Sequence, residues 1–129
     1  MSGNFKSLKA WQLAEDLVCA VSQATSAFPA EERYGLTQQM RRAAVSVVAN
    51  IAEGATRTSE REYAQFLSIA KGSLAELECF FHVSKRLGFL DASTHQQLMT
   101  LHQDAARTLH GLLRTIKRSS TPLVPVTVG

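Results

Sequence analysis

The chain has 129 residues, enough for one domain and one hydrophobic core without disulfides or a structural metal. It is 45% hydrophobic and 19% charged, as an ordinary soluble protein is, and no apolar run approaches the ~20 residues of a membrane span. The net charge of +3 permits a nucleic-acid partner without establishing one.

Proline and glycine break helices, and both are sparse: three prolines, two of them in the last eight residues, and seven scattered glycines. Four amphipathic helices are expected, over residues 7–28, 36–54, 59–87 and 92–118. Ser7 is a candidate N-cap for the first. Trp11, Ala14, Val18, Val21, Thr25 and Phe28 form its apolar face, widened by Leu17 and Ala24, and Pro29 ends it. In the second, Leu36, Met40, Ala43, Ala44, Val47, Val48 and Ile51 share a face. Gly54 reads as its stop, in the left-handed conformation that glycine tolerates. Ser59 and Glu62 form a capping box for the third helix. Its seam is Tyr63, Phe66, Leu67, Ala70, Leu74, Leu77, Phe81 and Ser84. Gly88 is the stop, and Phe89 stands where a Schellman motif places an apolar contact. The fourth helix starts at Asp91 or Ser93, with a stripe of Leu98, Leu101, Ala105, Leu109, Leu112 and Ile116. Residues 119–129 read as a disordered tail. No period-2 alternation and no mid-chain linker intervenes. The expected architecture is all-α, a single antiparallel up-down-up-down four-helix bundle domain over residues 1–118.

Cys19 and Cys79 lie inside apolar helical patterns, and no apolar leader precedes them. Buried free thiols in a reducing cytoplasm are expected. The basic excess is uneven. Residues 41–61 hold four bases (Arg41, Arg42, Arg57, Arg61) against two acids, and residues 92–129 hold four (Arg107, Arg114, Lys117, Arg118) against one, Asp104.

The third helix carries more apolar surface than its core seam of roughly 100° uses. Ile69, Phe80 and Leu87 form an adjoining strip, extended by Val83. Charges would stand there on the outside of a monomeric bundle. The strip suits a subunit interface; the alternative is a deeply buried helix in a lopsided bundle. Gly72 favours the interface, because close backbone approach offsets the cost of a mid-helix glycine, up to ~1 kcal/mol.

Catalysis needs converging groups, and few are in sight. His82, His95, His102 and His110 include no i,i+4 metal pair and read as boundary histidines. Lys71-Gly72-Ser73 lacks the upstream glycines of a phosphate loop. Glu76 and Glu78 point to different faces of one helix, and no glutamate has a histidine three residues on, as a di-iron bundle requires. No enzyme activity, cofactor or metal is expected. The basic stripe of the fourth helix says more. Arg107, Arg114 and Arg118 fall within roughly 40° of one another, opposite the leucine seam, with Lys117 nearby. Three aligned guanidiniums on a rod can track phosphates, although an ordinary solvated face has the same pattern. No aromatic is interleaved, so backbone contact rather than base stacking is indicated there.

The middle of the chain also carries a resemblance. The runs Arg42-Ala43-Ala44-Val45-Ser46-Val47 and Asn50-Ile51-Ala52-Glu53-Gly54 resemble the bacterial four-helix-bundle family described as 23S ribosomal RNA intervening-sequence proteins. So do Arg57, Ser59, Glu62, Phe66-Leu67, Ile69-Ala70, Gly72-Ser73-Leu74 and Glu76-Leu77-Glu78. The flanks agree: Trp11-Gln12-Leu13-Ala14, Phe28-Pro29, Tyr34-Gly35-Leu36-Thr37 and Leu87-Gly88-Phe89-Leu90. Val48 and Ala49 depart from the family's frequent Pro-Ser, so a kink of the second helix is not implied. The family is similar in fold to the accessory proteins of diversity-generating retroelements, which form barrel-shaped pentamers that bind nucleic acid and a reverse transcriptase. The resemblance therefore implies a homopentameric ring and is compatible with RNA binding; the residues expected to carry such binding, read from charge and spacing, are Arg57, Arg61, Arg107, Arg114, Lys117 and Arg118. It brings no catalytic residue. The alternative is a protein–protein adaptor that holds a nucleic-acid-processing enzyme such as a reverse transcriptase through residues 57–61 without touching RNA. Arg42, Asn50, Glu53 and Glu76, and Arg57 with them, read as fixtures of fold and assembly rather than as an active site.

Overall fold

The computed structural model describes residues 4–120, which form four α-helices: α1 (Lys9–Thr25), α2 (Leu36–Ala55), α3 (Glu60–Arg86) and α4 (Ala92–Ser120). Helix α1 begins later than the position of Ser7 suggests. Ser7 closes a 3-10 turn, Phe5–Ser7, whose cap is Asn4: its Oδ1 accepts from the Lys6 amide at 3.2 Å. The Phe5 ring meets Trp11 edge-on, centroids 5.3 Å apart, which ties the turn to the helix. At the other end α1 stops at Thr25, short of the expected Phe28. Thr25 Oγ1 donates to the Val21 carbonyl at 2.7 Å and Ser26 Oγ to the Ser22 carbonyl at 2.8 Å. Beyond them the amides of Ala27 and Phe28 bond three residues back, a tighter winding that leads out towards Pro29.

Gly54 is not the left-handed stop expected for α2. The helix runs on through Ala55, and Gly88 is the positive-φ glycine among the described residues. Gly54 is buried against α3, where a Cβ would stand 3.0 Å from both Phe66 Cβ and Tyr63 Cδ1 and 3.3 Å from the Tyr63 carbonyl. The missing side chain therefore serves close helix packing rather than backbone freedom.

Helix α3 is capped as its sequence directs: Ser59 Oγ accepts from the Glu62 amide at 3.3 Å. At its far end Gly88 takes φ +80°, the Phe89 amide reaches back to the Ser84 carbonyl at 2.9 Å, and the Gly88 amide reaches the Lys85 carbonyl at 3.0 Å. This is a Schellman motif, and its apolar residue, Phe89, packs on Phe28 with centroids 5.5 Å apart. Asp91 caps α4, its Oδ1 accepting from the Thr94 amide at 2.7 Å. Helix α4 includes Ser119 and Ser120, which the sequence assigns to the tail; the rest of that segment, 121–129, lies outside the described residues.

The register of contacts makes α2 and α3 antiparallel. Gly54 meets Tyr63 and Phe66, Ser46 Oγ lies 2.8 Å from Ser73 Oγ, and Ser84 Oγ donates to Met40 Sδ at 3.3 Å. Arg41 reaches Ser22 and Thr25 of α1, so α1 and α2 meet at their connected ends. His102 meets Leu74, while Lys117 shares a groove with Arg61, so α4 runs back along α3. Helix α4 also packs on α1, which closes the bundle. Leu17, Val21, Met40, Val47, Ile51, Leu67, Leu77, Phe81, Leu98 and Leu109 are fully buried at its centre. On α4 the core face is Leu98, His102, Ala105, Leu109 and Leu113, one residue on from the expected Leu101 and Leu112. Leu112 and Ile116 instead flank a cleft against Phe5, Leu8 and Tyr63. Cys19 and Cys79, expected to be buried, are exposed on the outer faces of α1 and α3.

Candidate nucleic-acid interface

Arg107, Arg114 and Arg118 are exposed, on the side of α4 turned away from Leu98, Ala105 and Leu109. Arg107 pairs with Asp104 one turn back, at 2.5 Å, with three-quarters of the arginine side chain still exposed. A surface pair of this kind contributes ~0–1 kcal/mol and leaves most guanidinium donors to solvent. Arg114 and Arg118 have no carboxylate at ion-pair distance among the described residues. Lys117, exposed as well, lines a shallow groove between α3 and α4 with Arg61, Ala64, Gln65, Ser68 and Ile69. Arg61 and the C-terminal part of α4 thus share one surface.

Arg57 does not belong to it in the same way. Its Nη2 bonds Glu53 Oε1 at 2.5 Å, and its guanidinium carbon lies 4.6 Å from the centre of the Phe66 ring. Its Nε is buried without a partner. Ion pair and cation–π contact fasten the α2–α3 turn and leave little of this side chain for an outside ligand.

The apolar strip of α3 is largely open. Ile69 is 52% exposed and Leu87 56%, Val83 is exposed, and Gly72 faces open space with nothing within 4 Å of an added Cβ. Phe80 differs: half-buried, it packs against the core and lines an α2–α3 groove with Gln39, Arg42, Ala43, Ser46 and Glu76. Arg42 and Glu76 share that groove, yet no ion pair joins them. Asn50 is a fixture within α2, its Nδ2 donating to the Ser46 carbonyl at 2.8 Å and to Ser46 Oγ at 3.1 Å. Asn50 and Glu53 thus serve different partners.

His102, read from the sequence as a boundary histidine, is buried. A carbonyl only accepts, so His102 Nε2–H donates to the Leu74 carbonyl, at 2.6 Å. The ring also meets Phe81 edge-on, centroids 6.2 Å apart. The signal was present, since position 102 lies four residues on from Leu98 and seven before Leu109. A polar residue type at a core register concealed it. His95, at the α4 start, is held below its ordinary value by partial burial and by the nearby charges of Lys85 and His82. Burial raises the Tyr63 hydroxyl. Among the described residues no three His, Cys, Asp or Glu gather as a metal site would need, and no helix is long and apolar enough to cross a membrane.

A second basic cluster, which spacing along the chain does not announce, lies at the corner where α1 meets α2. Arg33, Thr37, Gln38, Arg41, Arg42, Val45 and Ser46 line an open cleft of about 530 Å³. The residues are spread from the loop to the middle of α2, and only folding aligns them.

Bundle, exposed arginine rod and open apolar strip define a class: a small all-α four-helix protein with a basic outer face. The chain belongs to the family of 23S rRNA-intervening sequence proteins, which matches residues 6–111. In solved structures it is similar to a protein of unknown function from the S23 ribosomal protein family of Bacteroides thetaiotaomicron, with 15% identity and a TM-score of 0.74 over 81% of this chain and 95% of that one. At that identity the likeness concerns the fold alone. No curated protein matches the chain.

Proposed function

We propose that this protein is a non-enzymatic, oligomeric scaffold that binds RNA along its sugar-phosphate backbone. The carrying observation is the stripe of Arg107, Arg114 and Arg118, exposed along one side of a 29-residue helix. Guanidiniums so placed meet successive phosphates without reading bases, and repetition of the stripe around a ring of subunits multiplies a field that +3 per chain understates. Arg61 and Lys117 extend this surface. The open strip of Ile69, Val83 and Leu87, with Gly72 beside it, supports assembly with further copies; five is the number that the family resemblance implies. Two exposed, unpaired thiols suit a reducing cytoplasm.

Light scattering after size exclusion, with and without a structured RNA, tests the reading. A defined oligomer whose mass rises with RNA, and whose binding falls steeply with salt, supports it. Arg107→Glu, Arg114→Glu and Arg118→Glu together are expected to abolish binding; retention at low salt would remove these residues from the account. A co-purifying protein with no RNA affinity would replace this reading with that of an adaptor.

A further inference from the structure

The cleft at the α1–α2 corner combines charge and preorganisation, and an exposed aromatic residue follows its Arg33 in the chain. Arg33, Arg41 and Arg42 line it, with no carboxylate among its lining residues. None of the three forms an ion pair among the described residues. Glu32, the nearest acid in sequence, is engaged elsewhere: its Oε1 accepts from the Leu36 amide at 3.2 Å, at the start of α2. Three cations around one cleft repel one another, and an anion relieves this.

Arg41 is already held. Its Nε donates to Thr25 Oγ1 at 2.9 Å and its Nη2 to the Ser22 carbonyl at 3.3 Å. A guanidinium has five donors, so those on Nη1 remain after both bonds form. The ordering cost of that side chain is therefore met in the fold, before any ligand arrives. Arg33 and Thr37 line both this cleft and the adjoining one under Phe28 and Pro29, so the positive surface continues around the corner.

Tyr34 follows Arg33 in the chain and is 80% exposed, the most exposed large apolar side chain among the described residues. A positive groove with an exposed aromatic residue one position from a groove arginine has the two parts that hold single-stranded nucleic acid: a groove that follows phosphates and a ring on which an unpaired base stacks. The α4 stripe has no such ring.

We infer that the α1–α2 corner is a second nucleic-acid site, selective for an unpaired nucleotide, in which Arg33, Arg41 and Arg42 hold the phosphate and Tyr34 stacks the base. This rests on the RNA-binding reading above and adds a substrate class to it: RNA with a single-stranded end or loop beside its duplex. A duplex keeps its bases stacked inside, so Tyr34 gains nothing from it.

The test is fluorescence anisotropy of the full chain with two labelled probes, a uridine RNA strand of about eight nucleotides and a duplex of equal length. Tyr34→Ala is expected to weaken single-strand binding about tenfold and leave duplex binding unchanged, with Tyr34→Phe restoring the single-strand affinity. Arg33→Glu with Arg42→Glu should weaken the single strand further and flatten its salt dependence. Equal single-strand affinities for Tyr34→Ala and the parent chain would overturn the inference. So would a Tyr34→Ala protein of changed oligomer mass, which makes the ring an assembly contact. Duplex binding lost only with the α4 arginines, and no single-strand binding, would refute the corner site and leave the proposed function standing. No binding of either probe by the parent chain would refute both.

Discussion

Gly54 and Gly72 are both helical glycines, and their surroundings give them opposite roles. At Gly54 an added methyl group would press on Tyr63 and Phe66 within α3, two of its nearest contacts being at 3.0 Å. Gly54→Ala should destabilise the bundle by about 1–3 kcal/mol, measured as the shift in denaturant midpoint. Gly72 has open space around it, so Gly72→Ala should raise helix propensity and stabilise an isolated chain by up to ~1 kcal/mol. If copies meet closely at Gly72, the same change lowers the oligomer mass instead, and light scattering separates the outcomes. His102 carries an expectation of the same kind. It fills a core position and bonds the Leu74 carbonyl. His102→Ala should cost about 2 kcal/mol or more through the void and the lost bond.

At the scale of the element, the helix ends follow local chemistry. Removing the α3 cap by Ser59→Ala should cost about 1 kcal/mol, read by thermal or denaturant unfolding. Asp91 makes the α4 cap sensitive to acid. The bond from the Thr94 amide, then that from the Thr94 side chain, lowers its carboxyl below the ordinary value of 3.8. The unfolded chain therefore binds the proton more readily, so the cap's contribution is present above pH 3.8 and is lost as the pH falls through the lower, folded value. Asp91→Asn, which keeps an acceptor and removes the charge, should flatten that part of the acid-unfolding curve while α4 still forms. Unchanged acid unfolding would show that Asp91 is not the group responsible. The α2–α3 turn is held by Arg57 between Glu53 and Phe66, a double contact that lysine, with no planar fork, reproduces poorly.

At the scale of the whole molecule, α3 leaves an apolar strip uncovered by its own bundle. Phe80 is a poor probe, because it also packs on the core of its own chain. Ile69 and Leu87 stand clear of that core and are each more than half exposed. Ile69→Glu with Leu87→Glu should therefore leave the helical content unchanged by circular dichroism and lower the mass found by light scattering. An unaltered mass would show that copies assemble through another face. The basic surfaces lie at two ends of the bundle, Arg33, Arg41 and Arg42 around the start of α2, Arg61, Lys117 and Arg118 around the end of α4. A bound RNA that reaches both has to run the length of the helices.

The helices and most core residues were legible from spacing alone, because a 3.6-residue period and capping residues such as Ser59 and Gly88 act within a few neighbours. The α4 arginine stripe was legible for the same reason, since one rod carries it. What spacing could not reach depends on which helix lies opposite. Gly54 looks like a stop until Tyr63 and Phe66 are seen against it. His102 looks like a boundary residue until Leu74 and Phe81 surround it. Cys19 and Cys79 look apolar by their neighbours, yet α1 and α3 turn those faces outward. Arg57 reads both as a ligand-binding cation and as a fixture, and Phe66 beneath its guanidinium favours the second. The corner of Arg33, Arg41 and Arg42 exists only because the α1–α2 connection folds a loop residue back over a helix face. Local periodicity determined the elements; the rotation of each helix about its own axis, set by packing among all four, decided which side chains became core, clasp or surface.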